Sequence, residues 1–122
     1  MNAHKKTLVL GASDNPSRYS NLAIQRLRGR GHPVVAVGRK AGSVKDVEIV
    51  KDQQPFNDID TITLYLNPFN QREYYDYILS LNPKRIIFNP GTENPELEDL
   101  ARRKDIETME ACTLVMLTTG QY

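Results

Sequence analysis

One cysteine, two histidines and no long apolar run remove several classes of protein at once. The lone Cys112 forms no internal disulfide, and one thiol with the distant His4 and His32 is too few ligands for a structural zinc site. No hydrophobic stretch approaches the ~20 residues that a membrane-spanning helix requires. The opening MNAHKKTLVLG has two lysines and a short apolar stretch running straight into glycine, so it reads as the lead into a strand and not as a secretion signal. These absences set the expectation of a cytoplasmic protein with no membrane partner. Two phosphate-binding signatures are missing as well. The loop that begins at Gly11 lacks the two later glycines of G-x-G-x-x-G, and no G-x-x-x-x-G-K-[ST] occurs, which disfavours ATP hydrolysis.

What is present fits one soluble domain spanning residues 1–122. The chain of 122 residues is 39% hydrophobic and 25% charged, enough for one core but not for a nucleotide domain and a separate catalytic domain. The net charge of +1 conceals an asymmetry. Residues 1–46 carry nine Lys/Arg against two Asp, and residues 47–122 carry seven against thirteen acids, so the halves are +7 and −6. Either two solvated faces differ, or the first half faces a polyanionic ligand. Basic and aromatic side chains do not interleave along any segment, which argues against a nucleic-acid partner.

Periodicity outlines the fold. Thr7-Leu8-Val9-Leu10 and Val34-Val35-Ala36-Val37 are short β-rich runs that end at Gly11 and Gly38, as strands buried on both faces do. Between them Ser20 is a suitable N-cap, Ala23, Ile24 and Leu27 share one helical face, and Gly31 supplies the stop. The later pattern predicts strands over 61–66, 85–88 and 106–109, helices over 71–81 and from Pro95, and an apolar tail from Cys112 to Thr118 that packs back. Residues 41–60 carry a weaker signal, with a short edge strand at 47–50. His4 and His32 read as surface residues, and Tyr74, Tyr75 and Tyr77 as helix packing. Strands alternating with helices predict an α/β fold: a Rossmann-like three-layer sandwich with a mostly parallel sheet of about five strands.

In an open parallel sheet, ligands bind beyond the carboxyl ends of the strands. That rule selects the loops at 11–20, 38–43, 67–70, 89–94 and 110–113. The first loop, Gly11-Ala12-Ser13-Asp14-Asn15-Pro16-Ser17-Arg18-Tyr19-Ser20, is rich in small and hydroxyl residues and ends at a helix N-terminus, where free N–H groups and the helix dipole favour an anion. Arg18 adds a guanidinium that can fork onto phosphate oxygens. A plain strand-to-helix turn is the alternative. After the second strand an NAD site places a carboxylate for the ribose, whereas this chain has Gly38-Arg39-Lys40. A basic turn there suits an adenosine with an extra ribose phosphate, as in NADP or coenzyme A, unless it is simply solvated. Asn67-Pro68 and Asn89-Pro90-Gly91 repeat an Asn-Pro after a strand; either they line the same edge with uncharged donors and acceptors, as a pantetheine arm or diphosphate would need, or they are ordinary turns. Cys112 follows the last strand on that edge; a small buried hydrophobe is its ordinary role, and a mixed disulfide with a bound thiol the sharper one.

In order and spacing, three segments carry a resemblance over nearly the full length: Leu8 to Ser20, Gly31 to Val37 with the basic turn after it, and Asn89-Pro90-Gly91 before an acidic helix. The chain resembles the small stand-alone coenzyme A-binding proteins, whose fold is similar to the N-terminal domain of the succinyl-CoA synthetase α subunit. The resemblance implies that Ser13 to Pro16 border the nucleotide, Arg18 faces phosphate, Arg39 or Lys40 takes the basic role, and the Asn89 to Gly91 loop lines the opposite wall. It departs from that family at Gly38-Arg39, where relatives show Pro or Asn-Pro, and at Asn89, where they show Gln. The synthetase's phosphohistidine and ATP-grasp portions have no counterpart, so ligase activity does not carry over. The expectation is a non-catalytic module that binds coenzyme A or an acyl-CoA, with a homodimer or an enzyme partner left open. The rivals are a minimal NADP-dependent reductase or other nucleotide- or CoA-dependent enzyme, and a scaffold without ligand.

Overall fold

Four consecutive buried residues, Thr7–Leu10, form the central strand β1, and their side chains alternate between two cores. Leu8 and Leu10 point to one face, and Val9 to the other. The structure, a computed structural model, describes residues 4–122; residues 1–3, the start of the segment read as leading into this strand, lie outside the described residues. After β1 come α1 (Tyr19–Gly29), β2 (Val34–Val37), β3 (Gly42–Val44), β4 (Val47–Val50) and β5 (Thr61–Leu64). Then follow α2 (Pro68–Gln71), a 3₁₀ turn (Arg72–Tyr74), α3 (Tyr75–Ser80), β6 (Arg85–Phe88), α4 (Pro95–Arg102), β7 (Glu107–Glu110) and α5 (Thr113–Thr119).

The strands make one sheet in the order β3-β4-β2-β1-β5-β6-β7. All neighbours are parallel except β3, which returns antiparallel on β4 with Val44 opposite Val47. The sheet therefore has seven strands where the sequence pattern predicts about five; β3 and β4 are the additions, and β4 coincides with the short edge strand at 47–50. One face packs Leu8, Leu10, Ile62, Ile86 and Phe88 against Tyr74, Ile78, Leu97 and Ala101 of the 3₁₀ turn, α3 and α4. The other packs Val9, Ala36, Ile49 and Ile87 against Ile24 and Leu27 of α1 and Met116 and Leu117 of α5. This is the expected three-layer α/β sandwich, and the apolar tail does fold back as α5.

Several local expectations shift. Ser20 is buried inside α1, and the N-cap is Arg18, which makes no side-chain cap. The expected helix over 71–81 is three short pieces, because Asn67 caps α2 only one turn earlier and the chain tightens through Arg72–Tyr74. The strand expected over 61–66 stops at Leu64, and the last strand starts one residue late, at Glu107. His32 is buried, not superficial. Its Nδ1 accepts the Lys5 N–H at 2.9 Å, and its ring meets Tyr122 edge-on at 5.0 Å, because Tyr122 folds back onto the amino end of the sheet. Among the described residues no helix is long and apolar enough to cross a membrane.

Candidate functional site

Strand order reverses between β1 and β5. The first crossover, through α1, carries the chain from β1 to β2 on one side, and β5, β6 and β7 extend on the other. Connections that leave in opposite directions part at the carboxyl ends of β1 and β5 and open a crevice there. A cleft of about 700 Å³ occupies that place, within the size of sites that hold cofactors. Its floor is Gly11 after β1 and Tyr65-Leu66 after β5. A second hollow of about 560 Å³ lies along β4, but it sets Lys51 beside Glu48 and Asp52 and has no helix N-terminus, so it offers an anion little.

Two glycines make the crevice close. Gly11 has φ +94, and a Cβ there would stand 2.9 Å from the Tyr65 carbonyl carbon. At Gly38 a Cβ would stand 2.3 Å from the Ala12 carbonyl oxygen, so only glycine lets the turn after β2 rest on the first loop. Gly38 is thus a spacer behind the cleft and not part of its lining, whereas Arg39 and Lys40 reach into it.

The first loop supports itself and leaves donors over. The Gly11 and Ala12 N–H groups both go to Val37 O, at 2.9 and 3.0 Å. Ser13 Oγ accepts the Asn15 N–H at 3.1 Å, Asn15 Oδ1 accepts the Ser17 N–H and hydroxyl, and Asn15 O accepts the Arg18 N–H. Asn21 Nδ2 ties Ser13 O to α1 at 3.1 Å. The N–H groups of Ser13, Asp14, Tyr19 and Ser20 find no acceptor among the described residues. These donors lie in the loop and at an uncapped helix start, the arrangement that binds phosphate through backbone N–H and dipole.

Charge points the same way. Arg18, Arg39 and Lys40 line the cleft and make no ion pair among the described residues; only Asp14 brings a carboxylate. The opposite wall is neutral. Asn67 Oδ1 is occupied by the Asn70 N–H at 2.8 Å, which leaves its Nδ2 as the donor, and the Asn70 side chain, Pro90 and Gly91 complete that wall.

The structure brings together most of the residues singled out from sequence: Gly11, Ala12, Ser13, Asp14, Asn15, Arg18, Tyr19, Ser20, Arg39, Lys40, Asn67, Pro90 and Gly91 line one cleft. Pro16, Gly38, Pro68 and Asn89 do not line it. Pro16 is exposed outside the cleft, and Pro68 opens α2 as its first residue. Asn89 is 2% exposed and serves the scaffold. Its Nδ2 donates to Thr63 Oγ1 and Leu64 O at 2.7 and 2.8 Å, and its Oδ1 accepts the Thr113 N–H at 2.9 Å, so it pins β6 to β5 and α5.

Asn70 and Thr92, inside the selected loops 67–70 and 89–94, also line the cleft, as do Tyr65 and Leu66, which the sequence does not single out. The early end of β5 frees Tyr65 and Leu66, a change that periodicity alone does not reveal. Tyr65 sends its hydroxyl into the α5 side, where it is buried with no hydrogen-bond partner among the described residues, and burial pushes the phenol well above its ordinary pKa. Beneath the neutral wall lies Gln71. Its Nε2 donates to Leu66 O and Thr92 O, both at 2.8 Å, and its Oε1 accepts from Asn94 Nδ2 at 2.9 Å, so one buried amide joins the loops after β5 and β6. No cluster of three metal-ligating side chains forms among the described residues.

The comparisons with known proteins agree with this geometry. A solved structure of an uncharacterized protein is 51% identical, matches 99% of this chain and 100% of its own, and superposes with a TM-score of 0.96. A hypothetical protein from Pyrococcus horikoshii OT3 shares the fold at 23% identity, with a TM-score of 0.85 over 95% of this chain and 83% of its own. A dinucleotide-forming acetyl-coenzyme A synthetase from Ca. Korarchaeum cryptofilum contains the same fold in a quarter of its length, at 16% identity, a TM-score of 0.70 and 88% of this chain. No curated protein matches. The family model for a CoA binding domain matches residues 5–118, so the cleft at the switch point lies within the matched region, and the chain belongs to the CoA-binding domain family.

Proposed function

We propose that this chain holds coenzyme A or an acyl-CoA in the cleft between β1 and β5 and does so as a binding module without chemistry of its own. The observation that carries the reading is the meeting of unpaired cations Arg18, Arg39 and Lys40 with four open N–H donors in one crevice of a CoA-binding domain. The diphosphate faces the first loop and the start of α1, the ribose 3′-phosphate faces Arg39 and Lys40, and the pantetheine arm crosses towards Asn67, Asn70 and Gly91. The lining has no histidine and no cysteine, and its one carboxylate, Asp14, is exposed, which supports binding over acid–base or nucleophilic catalysis. Such a module serves as a carrier, a sensor or the partner of an enzyme in the cytoplasm.

Calorimetric titration with coenzyme A, 3′-dephospho-coenzyme A, NAD and NADP tests this, on the wild type and on a variant with Arg39→Ala and Lys40→Ala. Coenzyme A is expected to bind well above its dephosphorylated form. Two charge-assisted contacts at an exposed turn are worth roughly ten- to a hundredfold in affinity, and the double variant should lose that preference. Preferred binding of NADP would instead favour the reductase reading, since the basic turn also suits a 2′-phosphate, and hydride transfer with NADPH would then be the assay. Absence of any nucleotide binding would leave a scaffold.

A further inference from the structure

Three large apolar side chains stand strongly exposed among the described residues, Tyr19 and Phe69 at 74% and Val115 at 55%. Only Tyr19 lines the cleft. Among the described residues its hydroxyl makes no hydrogen bond and its ring pairs with no other ring, whereas the Phe69 ring centroid lies 5.8 Å from the Arg72 guanidinium. A bare aromatic face at the wall of the cleft is unexplained by packing. On the reading that the cleft holds coenzyme A, we propose that the Tyr19 ring is the surface on which the adenine stacks.

Position selects the base over the other parts of the ligand. Tyr19 follows Arg18, and its own N–H is one of the open donors at the start of α1, so the ring begins beside the phosphate-binding groups. Adenine is one ribose away from the diphosphate, while the thiol and any acyl group lie a whole pantetheine arm away. Gly11 and Ala12 donate to Val37 O, which holds the first loop against the end of β2. Tyr19 lines the same cleft as Arg39 and Lys40, with Asn67 and Asn70 on its neutral wall. The ribose that presents its 3′-phosphate to the basic turn also carries the base, so the base stays in the cleft that Tyr19 lines. The pantoyl group, the other neighbour of the diphosphate, is saturated and has no flat face to stack.

Stacking of a base on an aromatic side chain is worth roughly ten- to a hundredfold in affinity. Wild type, Tyr19→Phe and Tyr19→Ala are to be titrated with coenzyme A, adenosine 3′,5′-bisphosphate and 4′-phosphopantetheine. The alanine variant should bind coenzyme A and the bisphosphate weaker by the same factor and 4′-phosphopantetheine unchanged, and the phenylalanine variant should match wild type. Equal bisphosphate binding by wild type and alanine variant, or a loss confined to 4′-phosphopantetheine, overturns the stacking assignment while leaving the coenzyme A reading intact. A wild type that binds neither coenzyme A nor the bisphosphate overturns both. Since the chain has no tryptophan, Tyr19→Trp gives a single reporter whose emission should be quenched by the bisphosphate. Unchanged emission at saturating bisphosphate counts against the stack.

Discussion

Replacing Gln71 with methionine isolates the amide bridge between the two loops of the neutral wall. The side chain is 0% exposed, so solvent does not replace what it donates. Methionine has a similar volume and no amide, and the change therefore removes three hydrogen bonds with little cavity contribution. Asn94 Nδ2 keeps its 2.8 Å bond to the Tyr75 hydroxyl and loses little. The Thr92 and Leu66 carbonyls lose a donor each, the first in a buried bond and the second in a part-buried one. An orphaned buried acceptor costs about 1–3 kcal/mol, so the pair comes to ~2–4 kcal/mol. Against a total stability of about 5–15 kcal/mol that is a large fraction. At about 3–4 °C per kcal/mol for this size, the melting temperature falls by roughly 10 °C. Urea unfolding followed by circular dichroism should show a lower midpoint at unchanged slope. Because both carbonyls belong to cleft residues, coenzyme A affinity should also fall under conditions where the variant is fully folded. A stability change below about 1 kcal/mol would falsify the claim that this bridge holds the wall.

Gly38→Ala sets a Cβ against the Ala12 carbonyl at 2.3 Å, so thermal melts should show a loss of about 1–3 kcal/mol and titration a weaker ligand, as the first loop is pushed away. Asn89→Leu removes three buried bonds and should destabilise by about 3 kcal/mol, while the folded variant keeps wild-type affinity; unchanged stability with lost binding would place Asn89 at the ligand. Burial first, and then the neighbouring His4, Lys5, Arg85 and Arg30, hold the His32 imidazole below its ordinary 6.5. The unfolded chain then takes up the proton before the folded one, so stability falls as pH drops below 6.5 towards the folded value. His32→Asn keeps an acceptor for the Lys5 N–H and should flatten that slope between about pH 7 and 5. A His32 resonance titrating at or above 6.5 by NMR would contradict the assignment.

Much of the fold and the basic side of the cleft was legible because it rests on local chemistry. Four-residue runs such as Thr7–Leu10 and Thr61–Leu64 mark strands buried on both faces, and the loops after parallel strands follow from chain order alone. Loop 11–20 and the Arg39-Lys40 turn therefore fall on one edge by chain order alone. The β3–β4 hairpin was harder, for a definite reason. Its turn places Lys45 at φ +53, where glycine or asparagine would have announced it, and two strands of three and four residues are too short for alternation to stand out.

Partners distant in sequence account for the remaining differences. Asn89 and Asn67 both sit in an Asn-Pro after a strand, yet one amide is enclosed by Thr63, Leu64 and Thr113, and the other stands open beside Asn70. Residue type is the same in both, and the expected strand ends place each directly after its strand; what separates them is that β5 stops early, at Leu64, and that the first N–H of α5 comes back to Asn89 from 24 residues away. His32 is enclosed in the same manner by Tyr122, far down the chain. A polar residue at a strand end thus becomes cleft-lining or structural according to whether a later element returns over it. The first loop escaped that ambiguity because α1 begins within it and leaves four N–H groups with no acceptor among the described residues, which is why its place in the cleft follows from the sequence while that of Asn89 does not.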